Sequence, residues 1–217
     1  MTRTRIAIAA VVAVVLVVGG LLTRSRTPSA TLAPPASTAK PTAPIHGRGD
    51  QSAVGARRTA VEYVSTVQTD AIHAGPGKDW LLLSRWLDPA VDAGECDRAV
   101  AQLADARTSL TSDGGQVVWL VAPLGMRVEA RSLERARVSV WVVRVVASGT
   151  PAAGGVRPVA GWSTLTVDLT WRDNEWWVWS LSSLPGPAPM LSTTAAPSTS
   201  TEFTTRLAGF ELTGGQP

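Results

Sequence analysis

Cysteine is almost missing from this chain: Cys96 is the only one in 217 residues. One thiol cannot close an intramolecular disulfide, so a disulfide scaffold is excluded and a folded body must be held by its core. A lipid-modified cysteine near the first residues is excluded for the same reason. Cys96 itself reads as a small buried helix residue rather than a nucleophile. Histidine is nearly as scarce, with His46 and His73 alone. No histidine- or cysteine-rich cluster occurs, so no metal site is expected. Lysine is confined to Lys40 and Lys78, and the richness in Ala, Val, Arg, Gly and Trp suggests a GC-rich, actinobacterial genome. The pairs Gly114-Gly115 and Gly154-Gly155 lack the strand–loop–helix setting of a phosphate cradle and read as turns. No catalytic motif is present, so neither an enzyme nor a cofactor is expected.

Charge of one sign is lacking as well, although the formal balance is +3 and the pI is about 9.7. Four of the 20 basic residues flank one apolar run; setting them aside leaves 16 against 17 acidic residues. The body therefore has no net basic character, and direct nucleic-acid binding is not expected.

That apolar run, Ile6 to Leu22, lies between Arg3 and Arg5 on one side and Arg24 and Arg26 on the other. As a helix it covers roughly 25 Å, near the lower limit for crossing a bilayer. A cleaved signal peptide is the rival, with Pro28-Ser29-Ala30 or Thr31-Leu32-Ala33 as its small-x-small site. The run exceeds the usual signal core, and Arg24 and Arg26 stand between it and both sites. The expectation is a retained single-pass anchor. Flanking arginines nearly tie for orientation; the short head, residues 1–5, favours the N-terminus inside and the body outside the cytoplasm.

Residues 23–55 are rich in Pro, Ala, Ser and Thr, a composition too poor in apolar area to offset ordering entropy. They read as a disordered spacer. The tripeptide Arg48-Gly49-Asp50 within it is too short a match to carry a function. Residues 56–184 form the expected body. Val61, Val64, Val67 or Gln68, and Ala71 recur at helical spacing until Gly75-Pro76-Gly77. Trp80 to Leu87 is a short buried segment. Ala93 to Leu110 is a further helix with Cys96, Val100, Leu103, Ala106 or Arg107, and Leu110 inward.

From Gln116 the period changes to two. Val117–Leu120 and Met126–Arg131 read as strands interrupted at Pro123 and Gly125, and Arg137–Ala147 as the strongest strand. Further on, Leu165, Val167, Leu169 and Trp171 alternate with Thr164, Thr166, Asp168 and Thr170, one dry face and one wet. Arg172-Asp173-Asn174-Glu175 is a tight turn, and Trp176–Leu181 is its returning strand. Residues 185–217 read as a mostly disordered tail with a small apolar segment at 203–212, expected to be mobile by itself, with docking onto the body or onto a partner as the alternative. The fold class is α+β: an N-terminal transmembrane helix, a disordered linker, then two or three helices on a curved antiparallel sheet of about four strands.

Helices first, then strands closing in the hairpin Leu169-Thr170-Trp171-Arg172-Asp173-Asn174-Glu175-Trp176-Trp177-Val178, resembles the nuclear-transport-factor-2-like (cystatin-like) fold, a cone of sheet wrapped on helices. With the anchor and spacer, the chain resembles the bitopic subunit of actinobacterial conjugation systems, the one-span component of type IV secretion machines. The resemblance implies a membrane scaffold without catalytic residues, working through protein–protein contacts with other envelope or conjugation-channel subunits. Two other readings stand beside it: a small-molecule-binding or enzymatic cone, and an accessory subunit of a lipid-uptake or cell-wall system with the same fold.

Two sets of residues are singled out. Trp176 and Trp177 are adjacent, so in a strand they point to opposite faces, and Trp179 goes with Trp177. At least one ring then leaves the main core; Trp176, Trp177 and Trp179 are the candidate partner surface, against the alternative that the ring packs under a helix or the C-terminal tail. Tyr63, Asp70 and His73 share one helix and are the candidate pocket of the cone, with Asp70 and His73 as an acid–base pair. The bland alternative sets His73 against the helix C-terminus and Asp70 in water. Finally, Asp88, Asp92, Glu95, Asp97 and Asp105 against Arg127, Arg131, Arg135, Arg137 and Arg144 suggest opposed faces that would order a homo-oligomer head to tail, against the plainer reading of a solvated mixed surface.

Overall fold

A computed structural model of the chain describes residues 50–73, 77–111, 116–149, 158–189 and 197–213. The predicted anchor Ile6–Leu22 and most of the spacer lie outside these residues. Among the described residues no helix is long and apolar enough to cross a membrane.

The body is α+β. Helices α1 (Ala53–His73), α2 (Asp79–Ser84) and α3 (Ala93–Thr111) come first, then strands β1 (Gln116–Arg131), β2 (Arg135–Gly149), β3 (Val159–Arg172) and β4 (Glu175–Pro185). A short helix α4 (Ser200–Arg206) and a two-residue strand β5 (Glu211–Leu212) follow. The sheet is antiparallel with order β4-β3-β2-β1-β5. It thus has five strands, the fifth coming from the region past Pro185 that composition reads as lacking order.

The long ladders follow from alternation. On β2, Val138, Val140 and Val142 are fully buried, and on β3 so are Leu165, Val167 and Leu169, all on the inner face under the helices. Each such residue removes roughly 1.5–3 kcal/mol of apolar surface from water. The turn between β3 and β4 holds Asp173 at φ 52° and Asn174 at φ 61°, the two consecutive positive values that match hairpin twist. Asp and Asn tolerate that region better than other side-chain-bearing residues.

β1 is continuous, where Pro123 and Gly125 suggest an interruption. It absorbs both through a bulge between them, and through a second between Val128 and Ala130. A bulge lets proline sit in a strand without leaving a ladder bond unmade. There Thr213 closes the edge, its N–H donating to Leu124 O at 3.0 Å and its hydroxyl to Pro123 O at 2.7 Å.

α1 packs across β1, β2, β3 and β4. Its buried stripe is Ala56, Ala60, Tyr63, Val64 and Val67, rotated from the valine-led stripe expected, so that Val61 is only partly buried. The small alanines allow close approach to the valines of the sheet. The helix starts at Ala53, not Ala56, because Ser52 caps it: Gly55 N–H donates to Ser52 Oγ at 3.1 Å. The cap is tied down in turn by Trp176 Nε1, donating to Asp50 O at 2.8 Å, and Arg131 Nη2, donating to Gln51 O at 2.6 Å. Gly55 must be glycine here, since a Cβ would stand 2.0 Å from Asp50 O.

Past Pro185 the chain turns at Gly186 and runs over the outer face. Trp141 Nε1 donates to Pro187 O at 3.1 Å, and Phe203 of α4 meets the Trp141 ring edge-on at 5.5 Å. Thr199 and Glu202 cap α4, the Thr199 hydroxyl accepting from Glu202 N–H at 3.2 Å. Arg206 then donates to Gly186 O at 3.1 Å, and Arg127 lies over the Phe210 ring at 5.0 Å.

Candidate functional site

The hairpin tryptophans separate. Trp176 is fully buried on the inner face, edge-on to Trp171 at 5.2 Å. Trp177 is partly buried on the outer face, its Nε1 donating to Arg172 O at 3.2 Å. β3 and β4 slip register by one residue, Asp168 opposing Ser180 and Leu169 opposing Val178. Trp179 is the extra residue of this bulge and is 40% exposed. Of the three, Trp179 is the most exposed, Trp177 is partly exposed and Trp176 is not; sequence alternation cannot see the bulge that carries Trp179.

Tyr63, Asp70 and His73 are not brought together. Tyr63 is buried, edge-on to Trp86 at 5.9 Å, and burial, with a lesser push from Cys96, drives its phenol far above the ordinary range. Asp70, about two helical turns further on, is exposed. His73 is exposed too, with Nε2 3.4 Å from Trp119 O. Cys96 is buried, and burial followed by the charge of Asp97 raises its thiol, the opposite of what a nucleophile needs.

Several of the charges that suggest opposed faces have local work. Asp88 is buried: Oδ1 accepts from Ala90 N–H at 2.8 Å and lies 3.3 Å from Arg172, and Oδ2 accepts from the Thr170 hydroxyl. Asp88 N–H donates to Val178 O and Val178 N–H to Trp86 O, so this segment borders β4. Asp92 caps α3, Oδ1 accepting from Gly94 N–H at 2.7 Å. Arg137 grips Asp168 through Nε at 2.7 Å and Nη2 at 3.3 Å, and Ser180 adds a hydroxyl at 2.8 Å. A buried pair escapes sequence reading altogether: Asp79, at the start of α2, accepts from Arg107 of α3 at 2.5 and 3.2 Å, while Arg107 Nε donates to Ile72 O at 3.2 Å. This ties the three helices together. Arg144 is placed by the register on the inner face.

The outer face divides in two. Its lower half is polar, built from Arg127, Ser139, Thr166, Arg137 and Asp168. The middle is roofed by α4 over Trp141. Its upper half is apolar: Val118 and Leu120 on β1 stand opposite Ala147 and Val145 on β2, and Val145 and Val143 stand opposite Ala160 and Trp162 on β3. Val118 and Leu120 are each 50% exposed. β5 pairs with β1 only at Gly125 and Met126, so among the described residues the β1 edge over 117–122 has no partner strand. An apolar sheet face beside an unpaired edge suits strand addition or face-to-face docking. The signal is visible in retrospect. Val117-Val118-Trp119-Leu120-Val121 and Val140-Trp141-Val142-Val143 are apolar at both parities, the mark of strands covered on both faces.

Neither a protein-family model nor a curated protein matches the chain. Among solved structures it is similar to the intermembrane-space region of the chloroplast protein ARC6, at 19% identity over 60% of this chain and 97% of that one, with a TM-score of 0.38. A likeness that distant bears on neither the fold nor the function of this chain.

Proposed function

We propose that this protein is a membrane-anchored, non-enzymatic assembly component of a cell-envelope machine, a conjugative, type IV secretion-like apparatus in an actinobacterium. Ile6–Leu22 is the anchor, the Pro/Thr-rich segment is the spacer, and the α+β body works outside the cytoplasm as a nuclear-transport-factor-2-like cone. The observation that carries the reading is the apolar upper half of the outer face, with Val118 and Leu120 half exposed beside an unpaired strand edge. Exposed apolar area of this kind supports recognition by shape and burial rather than chemistry.

The test is crosslinking in the native membrane with the double substitution Val118→Arg and Leu120→Arg. Both sites are at the surface, so the thermal midpoint is expected to stay within a few degrees while crosslinks to channel subunits disappear. Unchanged crosslinks would overturn the assignment of the surface. Recovery of lipid-transport or cell-wall subunits in place of a channel ATPase would replace conjugation with the accessory role in those systems. A reporter at the C-terminus active only in the cytosol would overturn the topology. A ligand-holding cone is the second reading; Arg144 favours it, not Tyr63, Asp70 and His73.

A further inference from the structure

Among the described residues, three side chains on the inner face have polar atoms sealed from water with no hydrogen-bond partner: Arg144 at Nε and Nη2, Ser163 at Oγ and Ser183 at Oγ. The register sets them in a diagonal row across β2, β3 and β4, with Ser163 in the middle. Arg144 stands opposite Gly161 and Val142 opposite Ser163, so Arg144 and Ser163 are diagonal neighbours across β2 and β3. Ser163 stands opposite Pro185 and Leu165 opposite Ser183, which makes Ser163 and Ser183 diagonal neighbours across β3 and β4. Such pairs are about 7–8 Å apart at Cα, within reach of an arginine side chain. All three share the side of Val142 and Leu165, because residues two apart on a strand point the same way. On β1, Val121 opposes Arg144 and Trp119 opposes Val146, and neither side chain has an acceptor to offer.

A guanidinium is charged under all ordinary conditions, and taking it out of water costs several kcal/mol unless a counter-charge meets it. Desolvation brings Arg144 down to about 10, with no opposing carboxylate, so it stays cationic at neutral pH. Native proteins seldom leave such groups unmatched. The Ser163 hydroxyl can turn its proton toward a group held by the Arg144 fork. We propose that Arg144 and Ser163 form a receptor for an oxyanion group, a carboxylate or a phosphate, on the inner face of the sheet. The fork of Arg144 supplies the charge and two parallel donors, and Ser163 fixes the orientation. Arg144 as a whole residue is not fully buried, which leaves the group a way in.

The full-length chain in a neutral detergent is melted in sodium phosphate, sodium acetate and sodium chloride at matched ionic strength. Phosphate or acetate is expected to raise the midpoint above chloride in a saturable way, as binding to the folded state requires. Phosphate alone acting identifies a phosphoryl ligand, and acetate alone a carboxylate. Arg144→Met should abolish the increment and melt in chloride at or above the wild-type midpoint, because an unmatched buried cation is gone. Should that variant fail to fold, Ser163→Ala decides, with half-saturation expected at several-fold higher anion concentration. The proposal is overturned if wild type shows no increment over chloride, or if Arg144→Met or Ser163→Ala responds as wild type does.

Discussion

Asp79 is 2% exposed, yet it is a charged side chain at the start of a six-residue helix. It is tolerable there because Arg107 meets both carboxylate oxygens. Removing one partner strands the other, so Asp79→Asn should cost roughly 3–5 kcal/mol, read as a lower denaturant midpoint at unchanged slope. A cost under 1 kcal/mol would show that the pair is solvated. Glu129, at the β1 bulge, gives a prediction in pH. Burial pushes its carboxyl upward, but hydrogen bonds from Ser139 and Arg127 and the charges of Arg127 and Arg137 outweigh it and lower it. A folded-state value below the unfolded one means stability present above the ordinary carboxylate range and lost as pH falls through the folded value. Glu129→Gln should therefore be less stable than wild type at neutral pH and converge with it in acid. Partial exposure keeps the difference small.

Among the elements, the β3–β4 hairpin is the most completely written in its own residues. Its two turn positions demand positive φ, and the sequence places Asp173 and Asn174 there. Asn174→Val should cost about 1–2 kcal/mol, since a β-branched side chain meets the backbone in the left-handed region. Asn174→Gly should raise the thermal midpoint slightly. If valine were neutral, the turn would have rearranged. β1 is the opposite case. Pro123 and Gly125 read locally as a break, and only pairing with β2 and the closure by Thr213 turn them into a bulge within one strand.

At the scale of the whole molecule, the outer face is decided by what crosses it. Trp141 is buried because Pro187 and Phe203 cover it, and these lie 46 and 62 residues further along the chain. Truncation after Pro189 strips away Phe203, the Arg206 bond to Gly186 O and the β5 edge. The expected loss is about 2–4 kcal/mol, the scale of uncovering one or two large apolar side chains, with a red-shifted tryptophan emission. An unchanged melt and spectrum would show that α4 contributes nothing to the body.

Period and turn chemistry are local, and they were legible. The order of helices and strands, the alternation of Leu165, Val167 and Leu169, and the hairpin at Asp173-Asn174 follow from neighbours within a few residues. Partnership is not local. Neither the Asp79–Arg107 pair, 28 residues apart, nor the bulge that turns Trp179 outward leaves a periodic trace. The runs Val117–Val121 and Val140–Val143 are apolar at both parities, yet pattern could not tell that Trp141 would be covered while Val118 and Leu120 stay half exposed. Hydrophobic pattern alone determined that this chain forms a sheet with a dry inner side. Tertiary packing decided which part of its outer side α4 covers and which part stays exposed, and it withdrew most of Arg144 from water with no counter-charge among the described residues, because burial is set by contacts between segments that the sequence holds far apart.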